Sequence, residues 1–168
     1  MIYRKFYTCC FTGHRPNKLP WKYKERGIKL FLLKIKLKNI IKSAIKSGYK
    51  YFISGMALGS DMLCAEIVLN LKKNYPYIKL ECAIPCINQT EKWTKNNVIK
   101  YKKVLSKADK VVYVSSSKYF NGCMAKRNNY MINNSSLLIA IYNGTPGGTQ
   151  QTIEKAKDNK LEIIIIKP

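Results

Sequence analysis

Apolar and polar positions in this chain follow two periods, and the switch between them repeats from end to end. Short runs dense in β-branched and aromatic residues recur at 6–12, 50–54, 79–84, 110–114, 137–142 and 161–166, as expected of strands covered on both faces. Between them lie longer stretches with apolar residues at helical spacing. The first predicts a helix from Lys22 to Ser47, stopped by Gly48. Ile28, Phe31, Leu32, Ile35 and Ile45 form its inward side, with Lys29, Lys36, Lys42 and Lys46 away from that centre. Further helices are predicted over 62–74, 90–107, 123–133 and 150–159, the second of these with Trp93, Val98, Tyr101 and Leu105 as apolar points.

Strand and helix alternate throughout, with no repeat, linker or low-complexity tail, which predicts one α/β domain over 1–168. Its mostly parallel sheet of about six strands should lie between two helical layers. Right-handed crossovers then bring every strand-to-helix loop to one rim, where ligands of open α/β sheets bind.

Composition narrows the partners. With 168 residues and 46% hydrophobic content, the chain can bury an ordinary core. Its apolar runs, such as Ile163 to Ile166, are far too short to span a bilayer. The first residues lack the apolar centre of an export signal. A cytoplasmic protein with no membrane partner is expected. Six cysteines are then expected as free thiols; Cys9 and Cys10, adjacent in a strand, should face opposite ways. One histidine and no second zinc-like cysteine pair argue against a metal site.

The net charge of +22, from 31 Lys and Arg against nine Asp and Glu, makes nucleic acid or another polyanion a candidate partner. An AT-rich genome would also raise lysine. Along the chain the lysines look spread rather than gathered into one stripe.

Three loops carry the candidate chemistry. Ser54-Gly55-Met56-Ala57-Leu58-Gly59-Ser60-Asp61 joins a strand to a helix, and its glycines allow close backbone approach at a helix N-terminus. Asn143-Gly144-Thr145-Pro146-Gly147-Gly148-Thr149 repeats that design late in the chain, and Thr12-Gly13-His14-Arg15-Pro16 follows the first strand. In order, these motifs resemble the YpsA-like branch of the SLOG superfamily, which includes the DNA-processing protein DprA and the Lonely Guy phosphoribohydrolases. The resemblance covers nearly the whole chain. It implies a Rossmann-like three-layer α/β/α sandwich that holds a nucleotide's phosphates on its glycine turns, and it suggests a homodimer.

The chain departs from the phosphoribohydrolase pattern Pro-Gly-Gly-x-Gly-Thr-x-x-Glu. Pro146-Gly147-Gly148-Thr149 matches the first half and Glu154 stands at the acid position, but Gln150 and Gln151 replace Gly and Thr. The expected ligand residues are Thr12, Gly13, His14, Arg15, Gly55, Met56, Ala57, Gly59, Ser60, Asp61, Arg127, Asn128, Gly147, Gly148, Thr149 and Gln150. Arg127, one of four arginines, offers a bidentate fork to phosphate; Asp61 could reach a ribose or simply cap its helix; His14 could move protons or only brace its loop. Tyr119 and Phe120 could stack a base.

The first reading is therefore a binder of a nucleotide or an NAD- or ADP-ribose-like ligand, acting as a sensor or a sequestering protein. A second is an N-glycosidic hydrolase using Glu154 and Arg127. A third is a single-stranded nucleic-acid binder.

Overall fold

Strand β1, Thr8–Gly13, is the axis of the sheet. Five of its six residues are buried, and it pairs in parallel with β2 (Tyr51–Ser54) on one side and β5 (Leu137–Ile141) on the other. The computed structural model describes residues 2–24 and 26–168. Beyond β2 come β3 (Lys79–Ile84) and β4 (Lys110–Tyr113), and beyond β5 comes β6 (Glu162–Ile166). The order is β4-β3-β2-β1-β5-β6, and every pairing is parallel.

Alternation along the strands divides the core in two. Cys9, Phe11, Phe52, Leu80, Cys82 and Ile139 point into one layer, packed beneath helices α2 (Ile28–Lys46), α3 (Ser60–Leu71) and α4 (Lys95–Leu105). Cys10, Ile53, Ala83, Leu138 and Ala140 point into the other, beneath α5 (Cys123–Asn133) and α6 (Gly148–Asp158). Cys9 and Cys10 do face opposite ways, and all six cysteines are free and buried.

Three local differences from the sequence reading have physical causes. Residues 2–6 form a short helix, α1, so β1 starts at Thr8 and leaves Phe6 and Tyr7 exposed. Helix α2 begins at Ile28, because the chain turns at Leu19–Trp21 and Lys22 takes φ +51°. Its buried face is Leu30, Leu33, Leu37, Ile41, Ala44 and Ile45. Ile28, Phe31, Leu32 and Ile35, expected inside, lie on the opposite side and are exposed by 44–75%. The helix has two apolar stripes, and the sheet took the other one.

At the end of the sheet away from the loops that follow the strands, the side chain of Glu81 on β3 is almost wholly buried. Arg4 of α1 donates to it at 2.7 Å and the Tyr130 hydroxyl at 2.6 Å, while Lys110 lies at 3.2 Å. Arg4 also stacks over Tyr51, 4.5 Å from the ring centroid, so a single carboxylate secures α1, β4 and α5 to the sheet.

The face assignment of α2 is directly testable. Leu37→Ala should cost about 2–5 kcal/mol of stability, whereas Leu32→Ala should stay within about 0.5 kcal/mol of the parent. Urea unfolding of the two variants checks this, and comparable losses would reverse the assignment.

Candidate functional site

Strand order reverses between β1 and β5, so the loops leaving these strands part and open a crevice above the carboxyl ends. A cavity of about 300 Å³ lies there. Four segments distant in sequence line it: the loop after β1, the start of α3, the first turns of α5 and the start of α6. A wider groove of about 620 Å³ between α3 and α4 is lined by only those two helices and their ends, mostly lysines over Leu69 and Val104. A cleft of about 200 Å³ also meets the loops after β1 and β2, at Pro16, Leu19, Leu58 and Gly59, but among the described residues the rim cavity is the one built around a buried ion pair.

At its floor is an ion pair. Arg127 on α5 and Asp61 on α3 are both buried, with Nη1 3.1 Å from Asp61 Oδ2. The pair bridges helices from opposite faces of the sheet, which only a contact beyond the end of a strand allows. Gly55, at the tip of β2, makes this possible: a Cβ there would overlap the Arg127 guanidinium. The amide of Ala57 donates to the same Asp61 oxygen at 3.4 Å, and Ser54 Oγ donates to the Asp61 carbonyl at 2.9 Å. Burial pushes the Asp61 carboxyl above its ordinary range and the Arg127 guanidinium below its own, while each partner's charge opposes the other's shift.

Arg127 is only partly satisfied by this pair. Its Nε has no hydrogen-bond partner among the described residues. Its Nη2 reaches the Met124 sulfur at 4.0 Å, and Arg15 Nη2 approaches the same sulfur at 3.9 Å. Two guanidinium groups thus converge on a neutral thioether, a weak acceptor on a flexible side chain.

The loop after β1 forms the opposite wall. Lys18 donates to the Pro146 carbonyl at 2.8 Å, tying this loop to the second glycine turn. His14 is 3% exposed and packs against Tyr142, and its Nε2 accepts the Asn143 amide at 3.2 Å. That bond requires the proton on Nδ1. Burial lowers the imidazole pKa, with the Lys18 charge a lesser contribution in the same direction. Helix α6 starts from Gly147 at φ +144°, and no side chain caps it. The first-turn amides, including those of Gly148 and Thr149, therefore lack intrahelical partners at the cavity edge.

Of the residues expected from sequence, Thr12, Gly13, His14, Arg15, Ala57, Asp61, Arg127, Asn128, Gly147, Gly148 and Thr149 line this one cavity. Gly55, Met56, Gly59, Ser60, Gln150 and Glu154 do not line it. Met56 is fully buried, with its amide on Ser54 Oγ. Ser60 gives both its amide and its hydroxyl to the His14 carbonyl, at 3.3 and 3.0 Å. Gly59, at φ +94°, lets the chain pass beneath that carbonyl. The first glycine turn thus spends most of its donors inside the protein. Glu154 is exposed and takes a hydrogen bond from Gln150 at 2.8 Å. Tyr119 and Phe120 are exposed and outside the lining. Asn17, Lys18 and Met124 line the cavity but were not foreseen: Asn17 stands in a loop with no chemistry of its own, Lys18 is a lysine among many, and Met124 carries no charge to draw attention.

A profile of the YspA SLOG family matches residues 9–167. The chain belongs to this family. Among its relatives, the SPbeta prophage-derived protein YoqJ of Bacillus subtilis (strain 168) is 34% identical over 141 residues, covering 77% of this chain and 82% of that protein. A UPF0398 protein of Bacillus thuringiensis (strain Al Hakam) is 29% identical over 154 residues, covering 90% and 83%. Among solved structures, DprA of Streptococcus pneumoniae superposes with a TM-score of 0.67 at 15% identity. That match takes in 98% of this SLOG chain and 51% of the DprA chain, so the chain spans about half of that protein's length. DprA of Helicobacter pylori, described for its mode of binding single-stranded DNA, gives 0.66 at 16% identity, over 99% and 67%. At these identities the likeness establishes the Rossmann-like fold alone.

Two outcomes follow from this geometry. Gly55→Ala should displace Arg127 and cost about 3 kcal/mol or more, as expected when a buried pair is broken. Adding Arg127→Ala to it should cost less than the two single losses combined, because both remove the same contact; a denaturant double-mutant cycle measures the coupling. His14 has a lowered pKa in the folded state, so its contribution is present above about pH 6.5 and lost as pH falls through the folded value. Unfolding free energy should decline on acidification in this window, and His14→Asn should flatten the decline.

Proposed function

We propose that this SLOG protein binds a phosphate-bearing nucleotide ligand, of the NAD or ADP-ribose kind, in the rim cavity. The observation that carries this reading is the convergence of Arg15 and Arg127 on the Met124 sulfur. An anionic oxygen is a far better acceptor for two guanidinium groups than a thioether. The charge balance agrees: Arg15, Lys18 and Arg127 face a single lining carboxylate, Asp61. The uncapped start of α6 adds a second anion-favouring element across the cavity. Polar hydroxyl and amide groups on Thr12, Asn128 and Thr149 suit the sugar.

The geometry supports binding over cleavage. A general acid or base must lie within hydrogen-bond reach of the bond it serves. Glu154 lies outside the cavity lining, and Asp61 is committed to Arg127 and Ala57. A sensing or sequestering role fits this arrangement.

Adenosine monophosphate, NAD and ADP-ribose should each be tested by thermal shift and calorimetry, with released base followed in parallel. At least one is expected to stabilise the protein without releasing base. Arg15→Ala and Lys18→Ala change exposed side chains, and each should weaken that ligand about tenfold or more. Arg127→Ala should weaken it further. Free base would favour the hydrolase reading, and affinities unchanged in all three variants would move the site elsewhere.

A second reading is favoured by the net charge of +22 and by the single-stranded DNA named for the Helicobacter neighbour. A single strand of nucleic acid would contribute the same phosphates. Its affinity for an oligonucleotide should fall steeply with salt.

A further inference from the structure

The fold gathers the lysines that look scattered along the sequence. On one face of the sheet, α2 and α4 carry six and four lysines and no acidic residue, while α3 between them carries Asp61, buried at the rim, and Glu66 and no lysine. Helices α5 and α6, on the other face, mix basic residues with Glu154 and Asp158. On the outer side of α2, Ile28, Phe31, Leu32 and Ile35 recur at i, i+3, i+4 and i+7, with exposures of 75, 60, 56 and 44%. At helical spacing, Lys29 and Lys36 flank this stripe on one side, and Lys34 and Lys38 on the other. All four lysines are exposed.

We propose that this outer face of α2 docks on an anionic lipid surface. A stripe of aliphatic and aromatic side chains between two rows of lysine is how an amphipathic helix lies in the headgroup region. The apolar side chains enter the acyl boundary, while the lysine stems cover apolar surface and carry their ammonium groups to the lipid phosphates. Charge selects this occupant over two others. A second copy docked stripe to stripe would set lysine rows against lysine rows. A nucleic-acid strand would use the lysines but leave four large apolar side chains in water.

No helix among the described residues is long and apolar enough to cross a membrane, so docking here means lying on the surface. The expectation of no membrane partner rested on the length of a span, which does not address a helix lying flat. The proposal is independent of the rim ligand, since none of these α2 residues lines the rim cavity.

Flotation of the full chain with vesicles tests it, using phosphatidylcholine alone and phosphatidylcholine mixed with phosphatidylglycerol. The protein should float with the anionic vesicles and not with the neutral ones. Phe31→Ser combined with Leu32→Ser should lower partitioning about tenfold or more without lowering the urea midpoint. Lys34→Glu with Lys38→Glu should have a similar effect. The serine pair should leave any thermal shift by a rim ligand unchanged, which separates failure here from failure of the nucleotide reading. Absence of anionic-vesicle binding at low salt overturns the proposal. So does binding that survives the serine pair, since charge alone would then explain it. Loss of oligonucleotide binding on those serine substitutions would give the stripe to nucleic acid. A dimer that they convert to a monomer would give it to a second copy.

Discussion

The buried contact between Arg127 and Asp61 is the constraint on which the rim depends. It joins α5 to α3 across the end of β2, so the two helical layers are linked beyond the sheet. Two desolvated charges are costly unless their remaining valences are filled. Asp61 has Ala57 and Arg127, whereas Arg127 keeps an Nε without a partner among the described residues and an Nη2 facing a thioether. The pair is therefore asymmetric, with surplus positive character on the arginine. Arg15 and Lys18 extend that surplus around the cavity wall.

The same constraint explains why two glycine turns of similar sequence do different work. After β2, the chain must pass under the β1 loop and leave room for a guanidinium. Its amides at Met56, Ala57 and Ser60 consequently go to Ser54, Asp61 and His14. After β5, no such crossing exists, and the turn into α6 keeps its first-turn amides without a side-chain cap. The two loops share a cavity, but their donors are not equivalent. In the proposed reading, anion recognition would fall mainly to the later turn and to the cationic side chains.

Most of the fold was legible because β-branched runs and helical periods alternate without interruption; β3 and α5 begin and end where the pattern places them. The shared rim followed from the parallel order, and with it most of the residues that line the cavity. Periodicity fixes the spacing of an apolar stripe, however, and not which stripe faces inward. α2 has two, and packing chose Leu33, Leu37 and Ile41 over Phe31, Leu32 and Ile35. The lysine layer was hidden for a related reason: even spacing along the chain becomes concentration once α2 and α4 lie on one face. Gly55 was legible as a place of close approach, but what approaches it is Arg127. Glu81 gave no signal, since its partners Arg4, Lys110 and Tyr130 come from three other elements.

The distribution of charge also bears on how a ligand could enter the rim without dismantling it. Nη1 of Arg127 is the atom held by Asp61, which leaves the edge formed by Nε and Nη2, the edge suited to two parallel hydrogen bonds with phosphate oxygens. Met124 lies beside Nη2 of that edge, and unbranched methionine has rotatable bonds that let its thioether move aside. An anion could replace the sulfur while the ion pair below stays intact. The layers would then remain joined throughout binding, and the response would be confined to one side chain and the loop bearing Arg15 and Lys18. In the proposed reading such a site would alter little of the fold when filled, which suits retention of a ligand.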